Sequence, residues 1–478
     1  PLSEMGLTDD LYIKMNSRGK PLTPFEHFKA EFEEIIKHTS EELSKEINHK
    51  FDIDWANMLF PFRGDNNIID DEFLRYFHFI SDIISYESGL AIEKDEFKVA
   101  QFLYSTKNKN AKENILYLRS SSDCWLNLNI LNIFETIFSK NSYETSKVKI
   151  YQDDLNIFKE CLDNYGEYAG RNRKFPLNKI LLIYSIGIYL QNNKTISEAQ
   201  FQRRIRIIRN LIWNSSDEIR DDRMKTLLSE SKSIILTGVI PEAESGDLGY
   251  NVRQKEEERK KNQWLIDNAE QEDELNHLED HSFLKGCVAV VDLNNPVNFK
   301  KFRLLFDNCH KEYINRVLLT LGDYSQFISW RVQIGARNND SVWIDLFHPT
   351  KLRTGFEETF NIVNSLLLTL DESNINNDYL EKCIDIYLEN KETPKDWRYY
   401  FVKYDPMLHG NFGMYYWSNK QTKDYNIIMM NTEKSIGGKN WNVFLYTLFM
   451  LPDFSGKLSL GEYAYQGDKL KIINTDYT

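Results

Sequence analysis

The chain has 478 residues, enough for several domains of about 100 to 200 residues each. Its 41% hydrophobic and 13% aromatic content, against 21 Gly and 11 Pro, is that of a folded protein and excludes a disordered chain. A formal net charge of −13 excludes a protein that coats nucleic acid through its overall charge, because that mode needs many phosphate-neutralising cations; local basic patches stay open.

The first local signal lies in residues 11–30. Residues 11–15 alternate in the manner of a short strand, and Ser17-Arg18-Gly19 supplies a turn. Thr23 then caps a helix, Pro24 takes the first helical position and Glu26 completes a capping box, with Phe25, Phe28, Phe32, Ile35 and Ile36 on one apolar stripe. Helical periodicity continues to about residue 193, with periodic stretches around 71–84, 128–138, 153–165 and 177–191. The apolar run 180–190 is far shorter than the roughly 20 residues that span a bilayer, so it reads as a buried core helix and no membrane partner is expected. Ser197 opens another capped helix, over 197–213.

Residues 241–251 are rich in Glu, Ser and Gly, and 253–261 form a dense charge run, which predicts a loop leading into an exposed helix. Helical periodicity resumes over 263–388. Residues 397–404, 412–417, 425–430 and 470–473 are β-branched and aromatic and read as strands, with 441–450 as a helical candidate. The fold class expected is mainly α: a multi-helical scaffold with a short strand-turn-helix at the start and a small β-rich or α/β module at the C-terminus.

Cys124, Cys161, Cys287, Cys309 and Cys383 are scattered and never form Cys-x-x-Cys, which argues against a disulfide framework or zinc knuckle and for a reducing compartment. Residues 1–10 carry neither the basic region nor the apolar stretch of a signal peptide. A cytoplasmic location is expected.

Tyr12, Asn16, Gly19, Leu22 and Thr23 stand in a pattern of aromatic, Asn, Gly, Leu and Thr directly before a helix. This block resembles the signature of the GmrSD-type restriction family, a domain-of-unknown-function class with a ParB/sulfiredoxin-like fold found in phage-defence proteins. Residues 69–74, 203–210 and 277–286 also look like the larger bacterial members. Family members carry an Asp-Gly-Gln-Gln-Arg motif before the Asn/Gly block, implied to act in nucleotide hydrolysis or DNA nicking. That motif is not found in these residues, nor is the His-Asn-His arrangement of the nuclease module of some members. The resemblance therefore implies a defence protein whose catalytic segment precedes Pro1. It also implies a nucleoside triphosphate with Mg in the intact protein, and as partners DNA, the upstream segment and a defence-system protein. The domains expected are 1–125, the remainder of the ParB/sulfiredoxin-like domain plus helices; 126–245 and 246–395, both helical; and 396–478, the terminal module.

Two sets of residues are candidates for binding. Lys14, Asn16 and Arg18, with backbone N–H groups near Gly19, have the chemistry to hold a phosphate; the alternative is a strand-to-helix turn with solvated cations. On the 197–213 helix, Arg203, Arg206, Arg209 and Trp213 share one side and suit nucleic-acid phosphates and a stacked base; the alternative is pairing with Asp217, Glu218, Asp221 and Asp222. Arg204 falls on the apolar side and should be paired if buried. His277 and His281 have the four-residue spacing of a metal pair but no evident third ligand, so no metal is expected there. The Gly437-Gly438 pair lacks P-loop spacing and reads as a hairpin turn. A non-catalytic interaction scaffold is the rival function, and an autonomous metal-dependent nuclease built on Asp424, Glu433 and Lys439 is a third.

Overall fold

The computed structural model describes residues 22–64, 68–141, 146–152, 154–163, 174–242, 248–328, 331–350, 352–403 and the strands Tyr415–Asn419, Asp424–Met429, Lys439–Asn442, Tyr463–Gln466 and Lys469–Ile472. The protein is mainly α-helical. It divides into two compact units, Pro1–Arg259 and Lys260–Thr478. The predicted strand at residues 11–15, the turn at 17–19 and the Gly437-Gly438 turn lie outside the described residues.

In the first unit the helix Pro24–Thr39 starts as its sequence dictates. Thr23 accepts from the Glu26 N–H, and the Glu26 carboxylate accepts from the Thr23 N–H at 3.0 Å. Its stripe of Phe28, Phe32, Ile35 and Ile36 is buried. Phe28 packs edge-on against Phe77 at 4.8 Å, and Phe32 against Tyr104 at 5.2 Å between ring centres. Phe77 belongs to the helix Asp70–Ser88, which is buried from Glu72 to Tyr86. That helix ends where Gly89 adopts the left-handed conformation (φ +67°) and the Leu90 N–H bonds to the Ser85 carbonyl. The apolar run predicted as a core helix is the helix Leu177–Gln191, buried without a break from Ile180 to Ile188.

The second unit has its own core, drawn from helices such as Val297–Asn308, Lys311–Leu321, Asp340–Phe347 and Phe356–Thr369. Its sheet differs from the sequence expectation in two places. Gln326–Ile328 and Arg331–Gln333, read as part of a helical stretch, form an antiparallel hairpin, which pairs through Arg331–Gln333 with Tyr415–Asn419. Asp424–Met429 and Lys439–Asn442 complete five antiparallel strands. Residues 397–403, read as a strand for their aromatic content, form the helix Trp397–Lys403. The Asp396 carboxylate accepts from the Arg398 and Tyr399 N–H groups and so nucleates a helical turn. Tyr399, Tyr400, Phe401 and Val402 are buried consecutively, which a strand with one solvent face cannot achieve.

Candidate functional site

Lys14, Asn16, Arg18 and Gly19 lie outside the described residues. The arginine helix is described as Glu198–Trp213, with Ser197 and Gln200 forming a capping box. Arg206 and Arg209 are buried, at 3% and 0% exposure. Arg206 donates to the Lys147 carbonyl and Arg209 to the Lys149 carbonyl, both at 2.8 Å, so the guanidinium groups fasten the helix to the short parallel ladder of Phe138–Ser139 and Val148–Lys149. Arg209 also lies 5.7 Å from the Tyr151 ring centre, and Trp213 meets the same ring edge-on at 5.2 Å. Arg203 points to Glu258 at 4.0 Å. These cations serve internal backbone and carboxylate partners rather than the Asp217–Asp222 stretch weighed from the sequence. Arg204 is paired as its apolar surroundings require: it donates to the carbonyls of Ile235 and Leu236 at the end of the helix Met224–Thr237.

The charge run at 253–261 belongs to the helix Val252–Asp267, which is exposed along Val252, Glu256, Lys260 and Gln263; the expectation of an exposed helix is corrected for one stripe only. Gln254, Lys255, Glu258 and Lys261 are all buried. They recur at three- and four-residue spacing, so one stripe of the helix is polar and interior. In the first unit Lys255 bonds to Glu230 at 2.7 Å, and Glu258 accepts from Asn210 and Gln254 at 3.0 Å. The Tyr250 N–H also donates to Glu230 at 2.8 Å. Gly249 leaves room for this carboxylate, since a Cβ there would stand 2.3 Å from its oxygens. In the second unit Lys261 bonds to Glu279 at 2.7 Å and to the Gly286 carbonyl at 2.9 Å. This network has the chemistry of an internal fastener, with each charge matched by an opposite charge or an amide.

His281 is buried among Phe283, Phe302 and Phe306, and its Nδ1 accepts from the Phe283 N–H at 3.3 Å. Burial, followed by the nearby Arg303 charge, lowers the His277 pKa. Among the described residues no cluster of three metal-ligating side chains exists. In the terminal sheet Met429 faces Lys439, while Asp424 is at the other end of its strand, roughly 17 Å away at about 3.4 Å per residue. Asp424 and Lys439 therefore do not converge on one centre; Glu433 lies outside the described residues.

Sequence reasoning missed a cleft of about 980 Å³ in the first unit. The helix Glu96–Tyr104 turns Val99, Ala100, Leu103 and Tyr104 into the core and leaves Lys98, Gln101 and Phe102 on its outer side. A tight connection then leads into the helix Ala111–Asp123. Asn108 fixes it by donating to the Phe102 carbonyl at 3.0 Å and accepting from the Asn110 N–H at 2.9 Å, and buried Asn114 donates to the Leu103 carbonyl at 2.8 Å. Lys107 and Lys109 project from this fixed connection, and with Lys98, Phe97, Phe102 and Glu31 they line the cleft. The available signal was Lys107-Asn-Lys109-Asn directly after an outward-facing Phe102.

No family model, curated protein or solved structure matches the chain. None of the helices in the described residues is long and apolar enough to cross a membrane.

Proposed function

We propose that the chain is the largely helical part of a GmrSD-type restriction protein acting in phage defence, with a nucleoside triphosphate and Mg held near Lys14, Asn16, Arg18 and Gly19. One observation supports this reading above others. The Tyr12, Asn16, Gly19, Leu22 and Thr23 block runs directly into a helix whose capping box forms between Thr23 and Glu26 as the pattern requires. Lys14 and Arg18, with the backbone N–H groups expected near Gly19, have the chemistry to hold a phosphate directly before this helix. In the full gene product, Asn16→Ala should lower triphosphate hydrolysis about 100-fold, the scale for losing one polar group aimed at developing charge, with an unchanged circular dichroism spectrum. An active enzyme indifferent to this change refutes the assignment.

A second reading, a non-catalytic interaction scaffold, draws on the second unit. There Leu352, Ile386 and Leu368 stand 80%, 69% and 63% exposed, apolar side chains that a partner could cover. This reading predicts no hydrolysis in the full product and loss of a protein partner in a Leu352→Ser/Ile386→Ser variant; retained partner binding refutes it.

A further inference from the structure

We infer that the cleft between the helices Glu96–Tyr104 and Ala111–Asp123 binds single-stranded nucleic acid, with Lys98, Lys107 and Lys109 on phosphates and Phe102 stacked against a base. The site goes beyond the proposed function and does not rest on it, because it is argued from its own geometry.

Four features converge there. First, Lys98, Lys107 and Lys109 are exposed and form no salt bridge with any described residue. In a chain of net charge −13, where the first unit matches even its deeply buried Lys255 with a carboxylate, three ammonium groups gathered on one cleft outside any ion pair, with the Glu93 charge near Lys98, leave an excess of positive charge complementary to a polyanion. Glu31 is the acidic residue of the lining. Second, Phe102 is 51% exposed on the solvent side of a helix whose opposite side fills the core, so its ring is not needed for packing and offers a face to a base. Third, the side chains of Gln101 and Asn110 have no hydrogen-bond partner among the described residues, which leaves two amides beside the cleft for base edges or sugar. Asn110 precedes the helix Ala111–Asp123 without capping it, so the positive end of that helix dipole also faces this region. Fourth, the connection is rigid: both amide groups of Asn108 and the amide of Asn114 are engaged by the backbone, so binding here does not have to order a loop. The volume of about 980 Å³ lies at the upper end of small-ligand sites, about 300 to 1,000 Å³, and suits a strand passing through more than a single enclosed molecule.

The test is fluorescence anisotropy of the whole protein with fluorescein-labelled oligo(dT) of about 12 nucleotides, within the range of about 4 to 16 for single-strand sites. Phe102→Ala should weaken binding about 5- to 150-fold, the loss expected for one stacked base, with the salt dependence unchanged; Phe102→Trp should restore it. Lys98→Ala/Lys107→Ala/Lys109→Ala should flatten the slope of log affinity against log salt by about 2, at about 0.7 per single-strand phosphate contact. All these positions are exposed or half-exposed, and unchanged circular dichroism verifies the fold. Unchanged affinity in both the Phe102→Ala and the triple-lysine variants overturns the proposal. So does full competition by free ATP at equal nucleotide concentration, or equal affinity for blunt duplex. Asn16→Ala takes no part in these measurements, so its failure and theirs are distinguishable.

Discussion

Replacing Lys255 by Met isolates the buried charge pair on which the first unit is built. Lys255 and Glu230 have side-chain exposures of 0% and 7% and meet at 2.7 Å. At an effective dielectric of about 20, their gross attraction is about 6 kcal/mol, and the effective desolvation of the two ions, several kcal/mol each, offsets most of it. The intact pair therefore contributes little net stability, but either ion alone is left costly. Lys255→Met should destabilise the protein by about 3 to 5 kcal/mol, because the Glu230 carboxylate, which also accepts from the Tyr250 N–H, remains interior without the ammonium that balances its charge. Glu230→Leu should cost a similar amount, and it also orphans that N–H, worth about 1 to 3 kcal/mol. The double variant Lys255→Met/Glu230→Leu removes both ions and should fall well short of the sum, close to the cost of the orphaned N–H. Urea unfolding gives the three energies. Peptide-resolved hydrogen exchange over residues 224–237 and 248–259 shows that the loss is local to this network. A Lys255→Met cost below about 1 kcal/mol, or additive single variants, would refute the argument.

Asp82 sets a pH dependence of the opposite kind to an ordinary surface carboxylate. Burial raises its pKa from 3.8 to about 7, with Lys174 opposing and Asp221 adding to the shift. Because the folded-state value lies above the unfolded one, the first unit is most stable below about pH 4 as far as this group is concerned. It loses on the order of 4 kcal/mol as pH rises from about 4 to 7, then levels off. Asp82→Asn should flatten that slope in urea midpoints taken from pH 5 to 8, and a variant with the wild-type slope would show that the group is not responsible. For the arginine helix, Arg206→Met and Arg209→Met should each lower stability by about 1.5 to 3 kcal/mol, since each strands a backbone carbonyl. Oligonucleotide affinity per folded molecule should not change. Wild-type stability with lost binding would instead place these side chains on nucleic acid.

Much of the helical frame was legible because local chemistry and tertiary packing agree. The Thr23 and Ser197 caps start helices where predicted, and the unbroken run 180–188 is buried all round. Elsewhere packing overrode the pattern. Residues 397–403 have strand-forming aromatic content, but the Asp396 cap and consecutive burial make them a helix. Gln326–Ile328 and Arg331–Gln333 are short, and their pairing partner at Tyr415–Asn419 lies more than 80 residues further on, a separation that periodicity within a window cannot see. The candidate site was legible only as composition. Arg206 and Arg209 share a helix side as predicted, but which side faces the interior depends on the carbonyls of residues 147 and 149, placed by another segment.

The charge run and the lysine cleft show the same limit from two directions. Hydrophobic periodicity assigns a stripe of Gln254, Lys255, Glu258 and Lys261 to solvent, because it scores each residue by its cost of burial alone. That cost is removed only by partners distant in sequence, Glu230 and Asn210 on one part of the helix and Glu279 on the other. Lys98, Lys107 and Lys109 have the same intrinsic preference for water, and they form no ion pair with any described residue. Charge content is therefore uninformative by itself in this chain, and the presence or absence of a partner in space decides its role. A matched lysine is accommodated in the interior at little net cost. An unmatched group of lysines around an exposed ring retains its attraction for phosphate, which is why the binding argument rests on the residues around 98–110 and not on the more arginine-rich helix Glu198–Trp213.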